Sequence, residues 1–119
     1  MHNHLEFPQD PLGHLLIRVR AERARQDTLH PRDDWPMTNP PHDGSTQETR
    51  EAYLANLQQA VSEAERAGTV TWDDLLSEEL AEAACALTPA DQVRELVELA
   101  ALALRAAEAL NRTQEDEQA

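Results

Sequence analysis

Apolar residues recur along this chain at helical spacing, and nowhere do they alternate as in a strand. Leu12, Leu15, Leu16 and Val19 mark a first helix from about Pro11 to Asp27. A connection follows from Thr28 to Ser45, carrying Pro31, Pro36, Pro40, Pro41 and Gly44. So long a loop in a small domain is either a plain tether or a cover over something. A second helix begins near Thr46, with Glu48 and Glu51 close to its positive end, and stops near Gly68. Thr71 is placed to cap a third helix over Trp72–Leu87, with Asp74 completing a variant capping box. Thr88 and Pro89 then cap and start a fourth, running to about Arg112, and the acidic tail 113–119 is expected to fray. The spacing predicts an all-α fold of four helices in a single domain over 1–119. Helices three and four, joined by a short turn, are expected to lie antiparallel and adjacent.

Charge changes this picture on two of the helices. With Glu79 at zero on a wheel of about 100° per residue, Trp72 lies near +20°, Leu75 near −40°, Ala83 near +40° and Ala86 near −20°. Glu79 therefore sits inside the apolar stripe, Glu82 at its shoulder near −60° and Glu78 toward its edge near −100°. The fourth helix repeats the arrangement. Around Glu95, Leu102 falls near −20°, Ala106 near +20° and Leu99 near +40°, with Glu98 about 60° to one side.

A glutamate-rich helix is usually a solvated face, and a lone E-E-x-x-E says little. Two such pairs, one short turn apart and each within an apolar arc, say more. Gathering ionised carboxylates away from water costs several kcal/mol per ion, on the order of the Born penalty after relaxation, unless something pairs with them. Arg94 and Arg105 are candidates to pair with Glu98, but two arginines do not balance five glutamates. A divalent cation does, and all-oxygen ligation suits Mg²⁺ or Mn²⁺ rather than zinc.

Composition narrows the function classes. In 119 residues there is no 18-residue apolar run, and Met1–Glu6 lacks the basic-then-apolar order of a signal peptide. The single cysteine, Cys85, reads as a small packing residue. These features lead us to expect a cytoplasmic protein without a membrane partner. A net charge of −13 argues against a DNA- or RNA-binding surface. All ten basic residues are arginine, which makes forked contacts to phosphate, and the five histidines show no ligand spacing. Aromatics are few (Phe7, Trp35, Tyr53 and Trp72), so Leu, Ala and Val must supply most of the burial. On the fourth helix Val93, Leu96, Val97, Leu99, Ala100, Ala103, Leu104 and Ala107 spread apolar surface over more than half the circumference. One hairpin does not cover that, and a homodimer or homotetramer is expected.

Glu78-Glu79-x-x-Glu82 and Glu95-x-x-Glu98 resemble the E-E-x-x-E and E-x-x-D motifs of the MazG-like all-α nucleoside triphosphate pyrophosphohydrolases. The resemblance covers helices two to four, and the run Ala21–Asp27 is similar to the opening helix of a bacterial branch of that superfamily. It implies a MazG-like four-helix bundle completed by homo-oligomerisation, and cleavage of a (d)NTP to the monophosphate and pyrophosphate. By the same resemblance Glu79, Glu82, Glu95 and Glu98 would hold Mg²⁺ (or Mn²⁺), and Glu78 would orient or deprotonate the attacking water. Arg23 and Arg25 would steady phosphate oxygens, and Trp35 in the long loop would stack on the base. Glu98 stands where the family usually carries Asp, and the basic positions that follow the second motif in many members are reduced to Asn111-Arg112. These departures leave a second expectation: a catalytically silent MazG-like protein acting as an oligomeric interaction module.

Overall fold

The computed structural model describes residues 10–38 and 44–118, with side chains described at all of them except Gly44 and Ser45. Pro40 and Pro41 of the long connection lie outside the described residues. Four α-helices are present, α1 Pro11–Leu29, α2 Gly44–Ala67, α3 Trp72–Cys85 and α4 Pro89–Gln118, and no strand occurs among the described residues. None of the described helices is long and apolar enough to cross a membrane. The chain divides into two compact units, one of residues 1–35 with 104–119, the other of residues 36–103.

In the first unit, the Asp10 carboxylate accepts a hydrogen bond from the Gly13 amide at 2.6 Å and Pro11 opens α1. Such a cap satisfies one of the amides that the first helical turn leaves without a partner. Gly13 and Leu15 are buried, and the helix ends where the His30 amide donates to the Gln26 carbonyl. In the same unit Ala106 of α4 is buried. α4 continues past Arg112 to Gln118, and the acidic tail is thus helical rather than frayed over those residues. Thr113 Oγ1 donates to the Ala109 carbonyl at 3.2 Å and Asn111 Nδ2 to Glu115 at 3.5 Å, and no glycine or proline interrupts the run.

The second unit is built on α2 packed against α3. Among the described residues, its buried side chains are Val61 on α2 and Ala81 and Ala83 on α3. Small alanines let the helix backbones approach closely. They also bury little surface, since each methylene removed from water contributes only about 0.8 kcal/mol. α2 stops at a Schellman turn: Gly68 takes a positive φ of 73°, its amide donates to the Glu65 carbonyl, and the Thr69 amide donates to Ala64. Thr71 then caps α3 reciprocally with Asp74, at 3.1 Å from the Asp74 amide to the Thr71 hydroxyl and 3.0 Å from the Thr71 amide to the Asp74 carboxylate.

α3 ends at Cys85, two residues short of the predicted Leu87, because Ala86 is already extended at ψ 135°. Side chains from its neighbours take up the carbonyls released there. Gln47 of α2 donates to the Cys85 carbonyl and Gln92 of α4 to that of Ala86, both at 3.1 Å. Thr88 caps α4 through the Asp91 amide, as its sequence predicts.

Val61→Ala should lower unfolding stability by about 2 kcal/mol, the loss of two buried methyl groups plus a cavity. Thr71→Ala should cost about 1 kcal/mol, with Thr71→Ser close to wild type. Denaturant melts followed by circular dichroism measure both.

Candidate metal centre

The helical caps at Thr71 and Thr88 set the register of two acidic pairs. Glu79 and Glu82 lie one turn apart on α3, as do Glu95 and Glu98 on α4, so each pair projects from one face of its helix. The four carboxylates converge: one oxygen from each lies within 4.8 Å of all the others. Glu79, Glu82 and Glu95 are half-buried, and Glu98 is exposed. At Mg–O distances near 2.1 Å, an octahedron places adjacent oxygens about 3 Å apart and opposite ones about 4.2 Å apart. The 4.8 Å limit on the separations here is of the same order.

Proximity has a measurable electrostatic consequence. Burial, and then the charges of Glu98, Glu95 and Glu78, raise the Glu79 carboxyl above its usual range. Burial and the charge of Glu79 push Glu82 up from 4.5 to about 7, against a hydrogen bond from Gln58 that favours its ionised form. Glu82 also shares side-chain hydrogen bonds with Glu79 and Glu95. Even so, Glu79 Oε2 and Glu95 Oε2 are buried without a hydrogen-bond partner. Such oxygens are costly to leave unpaired, by about 1–3 kcal/mol or more for charged groups.

Arginine does not relieve the whole cluster. Arg94 approaches Glu95 at 3.5 Å and Asp91 at 3.0 Å, rather than Glu98, and is itself well exposed. Glu78 is not one of the four converging residues; burial and the like charge of Glu65 on α2 raise its carboxyl. Arg23, Arg25 and Trp35 belong to the first compact unit and are not part of the cluster. Arg25 forks onto Glu22, with Nε 2.7 Å from one carboxylate oxygen and Nη2 2.5 Å from the other. Trp35 is 59 % exposed and meets the His30 ring edge-on at 5.6 Å.

Two α2 residues that touch the site electrostatically, Gln58 and Glu65, were not anticipated. Their signal is present in the sequence. Leu54, Leu57, Gln58, Val61, Ala64 and Glu65 recur at helical spacing, and Val61, buried at the centre of that run, shows which face α2 turns toward α3.

No family model, curated protein or solved structure matches this chain. The chemistry of the donor set is what speaks for a ligand. Four hard carboxylates, two of them with an orphaned buried oxygen, could hold a metal ion.

The raised Glu82 fixes the sign of a pH dependence. Between 4.5 and about 7 the folded chain binds more protons at this group than the unfolded chain. Its contribution to metal-free stability is therefore greatest below 4.5 and is lost as pH rises toward 7. Melting temperature in EDTA should fall across that window, and Glu82→Gln should flatten the fall; an equally steep profile in the variant would contradict it.

Proposed function

We propose that this protein is a Mg²⁺-dependent nucleotide pyrophosphohydrolase that cleaves a (d)NTP to the (d)NMP and pyrophosphate. The observation that carries the reading is the convergence of Glu79, Glu82, Glu95 and Glu98, with oxygens of Glu79 and Glu95 buried and unpartnered. Its support from sequence is the resemblance of the two motifs that hold these residues to those of the MazG-like enzymes.

In this reading the four glutamates hold the ion, which supplies the positive charge that the polyphosphate requires. Glu98 reaches it through one methylene more than the usual Asp, from the exposed side of the cluster. Glu78 is the base: its carboxyl stands outside the four ligands, and burial with Glu65 raises its affinity for the proton of an attacking water.

A panel of standard and modified nucleotides should show pyrophosphate release with Mg²⁺ or Mn²⁺, abolished in Glu79→Gln. Mg²⁺ should raise the melting temperature of the wild type, by mass action on the folded state, more than that of the variant. Metal-dependent stabilisation without turnover of any nucleotide would favour a catalytically silent protein that keeps the metal site.

One observation favours an interaction role alongside, or in place of, catalysis. Val93, Leu96 and Val97 of α4 are 60 %, 39 % and 62 % exposed, with Val93 and Val97 on the side of the helix opposite Glu95 and Leu96 on its flank. A second copy of the chain covering this stripe would make the protein a homodimer or homotetramer. Light scattering after gel filtration should then give a multiple of 13.3 kDa, reduced in Val93→Asp/Val97→Asp. A monomeric wild type would overturn it.

A further inference from the structure

We infer that Gln92 is a positioning residue of the carboxylate cluster, its side chain latching α4 to the end of α3 at the spacing a small divalent cation requires; this rests on the metal reading above. Gln92 is half-buried near the start of α4, and its Nε2 donates to the Ala86 carbonyl at 3.1 Å. Its backbone amide donates to the Thr88 carbonyl at 2.9 Å. One residue thus ties α4 to two carbonyls of the turn that joins it to α3.

The latch is in register with the glutamates. Ala86, the C-cap of α3, follows Glu82 by four residues, and Gln92 precedes Glu95 by three. Steps of three and four return a helix to the same face. Read down the two helices from the turn, Ala86 stands level with Gln92, Glu82 with Glu95 and Glu79 with Glu98, and the four glutamates do converge. At a rise of about 1.5 Å per residue, the latch lies roughly one turn from the nearest carboxylates. Like charges on facing helices push those helices apart, and the Gln92 bond opposes that opening at the turn end. Spacing matters most to a small ion: Mg²⁺ demands a near-ideal octahedron at about 2.1 Å, whereas Ca²⁺ accepts a flexible shell at about 2.3–2.6 Å.

The test is calorimetric titration of the full chain with Mg²⁺ and with Ca²⁺, with metal-free melting measured in parallel. Gln92→Met, similar in length but without a donor, should weaken Mg²⁺ binding on the order of tenfold, the range for residues that orient ligands. Ca²⁺ binding should change less, so the preference for the smaller ion narrows. Gln92→Asn, which keeps the amide on a shorter stem, should recover part of the Mg²⁺ affinity, and it carries the comparison if Gln92→Met does not fold. Gln47→Met is the control, because Gln47 donates from α2 to the Cys85 carbonyl at the same helix end and does not join α4. It should lower the melting temperature and leave the ion preference as in the wild type. An unchanged preference in Gln92→Met, or an equal narrowing in Gln47→Met, would overturn the role of Gln92 and leave the metal site standing. A wild type that binds neither ion would overturn both.

Discussion

Mutual repulsion among carboxylates held on packed helices is the constraint around which the second unit of this protein is arranged. Glu79 and Glu82 on α3 converge with Glu95 and Glu98 on α4, and the helices that carry them are set by caps, by a short turn and by the contact between α2 and α3. Burial and the charge of Glu79 push the Glu82 carboxyl up to about 7, and two oxygens of the cluster are left unpartnered. Helix packing thus sustains an unfavourable arrangement that a hard divalent ion would relieve. A chain under pressure only to fold would turn those glutamates outward.

The packing that sustains this repulsion is itself thin. Among the described residues, Val61, Ala81 and Ala83 are the buried side chains of the second unit, and alanine burial contributes little per residue. Meanwhile Val93, Leu96 and Val97 remain exposed on α4, opposite its acidic seam. Glu95 is thus half-buried beside the partly covered Leu99 and Leu102, while these three apolar side chains face solvent. Metal binding would stabilise one of these faces, and association between copies the other.

α2 has a part in this arrangement that its own composition does not announce. It brings Gln58 to Glu82 and Glu65 to Glu78, so one helix supplies a neutral donor to a cluster member and a like charge beside a neighbouring carboxyl. The two effects have opposite signs on adjacent groups. Donation favours the ionised form of Glu82, and repulsion favours the protonated form of Glu78. Two carboxyl groups only a turn apart on α3 are thereby placed in different chemical environments.

The sequence by itself determined the four helices, because helical periodicity and capping residues are local signals: Thr71 with Asp74, Thr88 with Pro89, and Gly68 after Ala67 mark boundaries whatever lies around them. It also marked the acidic pairs, since a wheel places Glu79 and Glu95 within apolar arcs. Other outcomes depended on contacts between elements. α3 stops early at Cys85, where Gln47 and Gln92 accommodate its last carbonyls, and α4 runs on through a tail whose charge had suggested fraying. Tertiary structure alone decided that the four carboxylates meet within 4.8 Å, that Arg94 turns to Asp91 and Glu95, and that Gln58 reaches Glu82. Periodicity reports which face of a helix is apolar; which residue of another helix arrives there depends on packing.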